Sequence, residues 1–130
     1  MKRYELAFVL VIFGCLASAL IAADQKFKNI GVDEFDKLRK QTNTIVLDVR
    51  TPKEFVAGHI SGATNIDWYA SDFEKKVSGL DKSKTWLVHC AAGVRSAKAA
   101  DKLTGLRFTN VYNLEGGMKA WEKAGKPVEK

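Results

Sequence analysis

The chain is poor in proline and cysteine, with two of each in 130 residues, and has neither a low-complexity tract nor an internal repeat. Repeat architectures are thereby excluded, and the length suits one domain. No basic block with interleaved aromatics occurs, so nucleic-acid binding has no sequence support despite a formal charge of +6. The lysines sit beside glutamates, as in "FEKKV" and "AWEKAGK", the pattern of solvated mixed-charge helix faces. Such a weakly cationic protein still attracts small anions. The longest apolar run, Leu6 to Ile21, falls short of the ~20 residues that crossing a bilayer takes.

That run belongs to a segment with the order of a secretory signal peptide. Lys2 and Arg3 form a basic start, the apolar stretch follows, and Ala22-Ala23 precede the polar "DQKFK". Cleavage is expected after Ala23, which makes residues 1–23 the signal and 24–130 a single domain, exported to the periplasm and without stable membrane association afterwards. An uncleaved anchor, or lipid attachment at Cys15 in "IFGC", are the alternative readings. Removal of Lys2, Arg3 and Glu5 lowers the charge from +6 to +5, 19 basic residues against 14 acidic. It also leaves Cys90 as the single cysteine. One thiol cannot form an internal disulfide, and a spare cysteine in an exported protein flags reactivity.

What is present is an alternation of short apolar runs with amphipathic ones. "TIVLDV" (Thr44–Val49), "ATNI" (Ala63–Ile66), "TWLVH" (Thr85–His89) and "NVYNL" (Asn110–Leu114) read as strands buried on both faces, and "KFKNI", ending at Ile30, as a weaker one. Thr51-Pro52-Lys53-Glu54 predicts a capping box with proline at the first helical position, closed by Gly58. Ser71-Asp72-Phe73-Glu74 predicts a second box, closed by Gly79. Val32 to Lys40, Ser96 to Thr104 and "GMKAWEKAG" complete the helices. Strands alternating with helices imply parallel pairing and a small three-layer α/β domain, with ligands at the carboxyl ends of strands.

Cys90 directly follows one such strand, in "HCAAGVRS". A cysteine reacts as thiolate, and a free thiol with pKa ~8.5 is mostly protonated at neutral pH. Between a strand end and a helix start, the loop amides can point inward as an anion-binding nest, with the helix N-terminus adding partial positive charge. Gly93 permits a positive φ, Arg95 offers a planar donor fork for an anion, and Ser96 can cap the following helix. Four residues, Ala91, Ala92, Gly93 and Val94, separate Cys90 from Arg95, where a tyrosine-phosphatase loop has five. The narrower cup favours a single terminal sulfur over a phosphoryl group.

Three ordered stretches, "LDVRTPKEFVAGHISGATNID", "HCAAGVRSAKAA" and "NVYNLEGGMKAW", resemble the signatures of the rhodanese family of sulfurtransferases, in its exported single-domain form. The resemblance implies a parallel five-stranded sheet flanked by helices. It implies that Cys90 takes a sulfane sulfur from a small donor and passes it to a thiol or cyanide, and that Ala91, Ala92, Gly93, Val94, Arg95 and Ser96 bind substrate. No metal or organic cofactor is implied, and no protein partner is identified. The family's thiosulfate-using loops carry basic side chains soon after the cysteine, where this chain has Ala91 and Ala92, an entrance suited to persulfides or polysulfides. A non-catalytic sulfur-carrier module at the cell envelope, and a cysteine-based phosphatase or arsenate reductase, are the alternatives.

The other polar residues have quieter roles. Asp48 and Arg50 end a strand near the active edge; Arg50 could reach an anion there, but an ion pair with Glu54 or Asp48 is the simpler expectation. His59 is expected to hydrogen-bond backbone in its turn. His89, adjacent to Cys90 on a strand, is expected to face away from the pocket. Trp68 and Tyr69 read as core or pocket rim, and Gly116-Gly117 as a place of close backbone approach.

Overall fold

The computed structural model describes residues 27–130; the signal segment expected at 1–23 and Cys15 lie outside them. Strands β1 (Lys28–Ile30), β2 (Thr44–Asp48), β3 (Thr64–Asn65), β4 (Thr85–His89) and β5 (Asn110–Leu114) form one sheet in the order β1-β5-β4-β2-β3. Every pairing in it is parallel. Parallel neighbours need crossovers, and helices α1 (Val32–Leu38), α2 (Pro52–Ala57), α3 (Phe73–Ser78), α4 (Val94–Gly105) and α5 (Gly117–Lys123) provide them or follow the last strand. The α/β class and five-stranded parallel sheet expected from the sequence are both present.

Side-chain alternation along the central strands divides the core in two. Leu47 and Val49, with Trp86, Val88 and Cys90, point to the face covered by Phe73 and Val77 of α3 and by Ala99, Ala100 and Leu103 of α4. Val46 and Leu87 point to the other face, against Phe35 of α1 and Met118 and Trp121 of α5. Trp86, Trp121 and Phe35 are buried almost completely, and each contributes roughly 1.5–3 kcal/mol or more by leaving water. The layer structure therefore places β4 at the centre, with Cys90 at its carboxyl end.

Two helix starts differ from the sequence reading. The Ser71 box does not form: Asp72 is the N-cap, with no side-chain cap bond, and Phe73 begins the helix because its ring is taken into the core. Asp72 instead faces Lys76 at 3.6 Å. Helix α4 begins at Val94, two residues before the expected Ser96, because Gly93 at φ 111° turns the chain directly into it. The Thr51 box is present in full, with Glu54 amide donating to the Thr51 hydroxyl and Thr51 amide to the Glu54 carboxylate.

The start of α5 is pressed against the loop after β4. A Cβ on Gly117, whose φ is +58°, would lie 2.5 Å from the Cys90 carbonyl oxygen and 2.7 Å from Ala91 backbone. Gly105 has open space around the same position. Gly117→Ala is therefore expected to cost about 3 kcal/mol of stability, whereas Gly105→Ala at the end of α4 should be neutral or stabilising by up to about 1 kcal/mol. Urea denaturation of the two variants checks both directions.

Candidate active site

Cys90 leaves the buried end of β4 and its side chain stays on the α4 face, 1% exposed. The chain then turns through Ala91, Ala92 and Gly93 and enters α4. Helix starts carry unpaired amides, usually met by a side-chain oxygen at the N-cap. Here the N-cap is Gly93, which has no side chain. The cysteine sulfur takes that place: Sγ accepts from the Gly93 amide at 3.1 Å, the Ser96 amide at 3.3 Å and the Ser96 hydroxyl at 3.3 Å. Ser96 was expected to cap the helix; its hydroxyl serves the sulfur instead, because the earlier helix start places it inside the first turn, fully buried.

These donors decide the state of the thiol. Burial opposes the thiolate, but the Ser96 hydroxyl, with the amides of Ser96, Gly93 and Ala92, outweighs it, and the Cys90 pKa falls below its ordinary value. The loop's back is fixed from α5. The Cys90 carbonyl accepts from the Met118 amide at 2.8 Å and the Ala91 carbonyl from the Lys119 amide at 3.0 Å. Close approach at Gly117 is what makes both bonds available.

His89 points to the opposite face from Cys90, edge-on to Phe35 at 6.1 Å. Its Nδ1 lies 3.2 Å from the Cys90 carbonyl. A carbonyl only accepts, so this nitrogen carries the proton. Burial holds the imidazole below its usual pKa, against the opposing pull of Asp48, whose Oδ2 is 3.5 Å from Nε2. A neutral ring behind the loop supports its backbone and cannot reach Sγ as a base.

The charged residues at the strand ends form two separate pairs. Arg50 donates to Asp48 through Nε and Nη2, at 3.0 and 2.8 Å, and to the Gly58 carbonyl at 2.7 Å. Both side chains are buried, so Arg50 is spent on a structural pair and does not extend toward an anion. Arg95 is not an open fork either. Its Nη1 and Nη2 donate to the two carboxylate oxygens of Glu54 at 2.8 and 3.1 Å, and its guanidinium carbon lies 5.5 Å from the Tyr69 ring. Glu54 is the site residue that the sequence reading assigned elsewhere. Forty-one positions separate it from Arg95, and no local pattern links them.

Ala92, Val94 at 66% exposure and Tyr69 at 69% are exposed uncharged side chains of the loop, the helix start and the Arg95 neighbourhood. Tyr69 is rim, whereas Trp68 packs on Phe73 at 5.0 Å. His59 Nδ1 meets the Phe55 carbonyl at 3.0 Å, as expected of a turn-fixing residue. Among the described residues, no cluster of three or more His, Cys, Asp or Glu side chains is placed to hold a metal ion.

Residues 31–124 match the model of the rhodanese-like domain. The chain is 37% identical over 105 residues to the thiosulfate sulfurtransferase GlpE of Pseudomonas putida, covering 80% of this chain and 92% of that one. It is 41% identical over 93 residues to the chloroplastic thiosulfate sulfurtransferase 16 of Arabidopsis thaliana, covering 64% and 78%. The crystal structure of a rhodanese-related protein from Thermoplasma volcanium superposes with a TM-score of 0.70 at 34% identity, over 78% of this chain and 97% of that one.

Two outcomes follow from the site's electrostatics. Ser96→Ala removes one donor to a charged acceptor, so alkylation of Cys90 by iodoacetamide at neutral pH should slow by about three- to tenfold. The pH–rate profile should shift upward, and an unchanged profile would assign the activation to the amides alone. The second outcome concerns Glu54, whose pKa Arg95 lowers from 4.5 to about 2. A folded-state pKa below the unfolded one stabilises the native state above pH 4.5 and ceases to as pH falls through about 2. The stability gap between wild type and Glu54→Gln in urea melts should be level above pH 4.5 and close toward pH 2.

Proposed function

The chain belongs to the rhodanese-like domain family, and from that premise we propose that it is a sulfurtransferase working through a persulfide on Cys90. In the first half-reaction the Cys90 thiolate attacks the outer sulfur of a donor. A sulfur–sulfur bond forms at Sγ, and the donor's own bond to that sulfur breaks, its electron pair leaving with sulfite from thiosulfate or a thiolate from a persulfide. In the second, a thiolate or cyanide attacks the outer sulfur and the Cys90 thiolate leaves. The exchange is ping-pong and needs no cofactor.

The observation that carries this reading is the convergence of the Gly93 and Ser96 amides and the Ser96 hydroxyl on one atom, Sγ. Donors aimed at the sulfur favour the thiolate as nucleophile and as leaving group in turn. Against a phosphatase stands the four-residue spacing from Cys90 to Arg95, with one edge of the guanidinium already on Glu54. A sulfur carrier with little turnover is the second reading, favoured by the near-complete burial of Cys90. Export to the periplasm, with cleavage after Ala23, completes the proposal and rests on the sequence order of residues 1–23.

Mass spectrometry of the mature domain after incubation with thiosulfate or polysulfide should show one added sulfur on Cys90, absent in Cys90→Ser. Unchanged mass with both donors would overturn the sulfurtransferase reading. Normal loading with almost no release to cyanide, dithiol or glutathione would select the carrier. N-terminal sequencing of protein from the cell envelope should begin at Asp24.

A further inference from the structure

The pair that closes the cup on one side has its own chemistry. Arg95 and Glu54 meet in a two-point, fork-to-fork contact, the strongest geometry open to such a pair. Glu54 is itself held: its Oε1 also accepts from the Thr51 amide and the Thr51 hydroxyl, each at 3.1 Å. The carboxylate is thus locked by the α2 capping box and does not swing aside without unmaking it. The Arg95 side chain is 17% exposed and that of Glu54 35%, which puts the pair at the mouth of the site.

Arg95 directly precedes Ser96, whose amide and hydroxyl both meet Cys90 Sγ. An incoming anion therefore arrives where Arg95 is, and finds a fixed carboxylate there too. Glu54 takes one N–H of each terminal nitrogen, so a donor that turns to the remaining N–H groups lies against its negative charge. Arg50 offers no substitute, being buried on Asp48 and Gly58. The exposed neighbours, Ala92, Val94 and Tyr69, suit uncharged or apolar parts of a donor.

We propose that Glu54 is a specificity-determining residue: by occupying both terminal nitrogens of Arg95 it disfavours dianionic sulfur donors and leaves the cup to donors of lower charge, thiol persulfides above all. This inference rests on the sulfurtransferase reading and deepens it. With thiosulfate, Sγ bonds to the outer sulfur while the sulfonate sulfur departs with the electron pair as the sulfite dianion. With a thiol persulfide the same bond forms and a thiolate departs, so one negative charge fewer is brought past Glu54.

The test compares two donors of nearly one shape, thiosulfate and methanethiosulfonate, in which a methyl group replaces one charged oxygen. Rates of sulfur loading on Cys90 are measured with each and divided by the rates with a free small thiol, which removes the donors' intrinsic reactivity. Wild type should prefer the monoanion by at least about tenfold after this correction. Glu54→Gln should reduce the preference about tenfold, chiefly by faster loading from thiosulfate. If Glu54→Gln does not fold by circular dichroism, Glu54→Asp, whose carboxylate is one methylene further from Arg95, must lower the preference in the same direction. A wild type without preference, or a folded variant with the wild-type preference, overturns the inference while leaving the sulfurtransferase intact. A wild type that loads sulfur from neither donor overturns both.

Discussion

A cysteine sulfur that does the work of a helix N-cap is the interaction on which the site depends. Helix α4 starts from a glycine that cannot satisfy its own first amides, and the sulfur of Cys90 receives them instead. One contact thus has two results. The helix gains the acceptor that its N-terminus requires, and the thiol gains donors that favour its charged form. Because the same groups serve both ends, activation of the cysteine and formation of the helix cannot be separated. The central position of β4 and the left-handed turn at Gly93 are the means by which the fold brings sulfur and amides together.

The two arginines show how one residue type takes different duties from its surroundings. Arg50, buried with Asp48, ties the end of β2 to the turn at Gly58 and takes no part in chemistry at the mouth. Arg95 sits at the mouth but is paired. What distinguishes them is exposure: water reaches the Arg95 pair at its edge, whereas the Arg50 pair is buried and would lose several kcal/mol if one member were removed. The likeness to enzymes named for thiosulfate is one of overall sequence; the Arg95–Glu54 pair is a feature of this chain.

Much of the architecture was legible because its signals are local. β-branched runs marked β2, β4 and β5, Thr51 and Glu54 marked a capping box, and the end of "TWLVH" placed Cys90 at the carboxyl edge of the sheet. The opposite facing of His89 and Cys90 followed from strand alternation alone. What escaped was set by contacts distant in sequence or by competition between nearby acceptors. Ser71 and Asp72 compete as caps, and burial of Phe73 decided for Asp72. The Ser96 hydroxyl could accept from helix amides as a cap or donate to sulfur, and the early turn at Gly93 decided for sulfur. The pairing of Arg95 with Glu54 depends on where α2 docks beside α4, which no spacing in the sequence encodes.

The clamp from α5 has a consequence for how the molecule is made. Cys90 and Ala91 are gripped by the amides of Met118 and Lys119. Helix α5 is secured in turn by Trp121 donating to the Pro127 carbonyl, and the final residues by Glu129 pairing with His59. These contacts come from residues that follow β5 in the chain, well after β4 and its loop. Without α5 docked, the loop after β4 has no backstop. The thiol of a nascent or unfolded chain is therefore an ordinary, weakly reactive one. The lowered pKa of Cys90 thus belongs to the folded domain with α5 in place, and a chain kept unfolded carries this thiol in a dormant form.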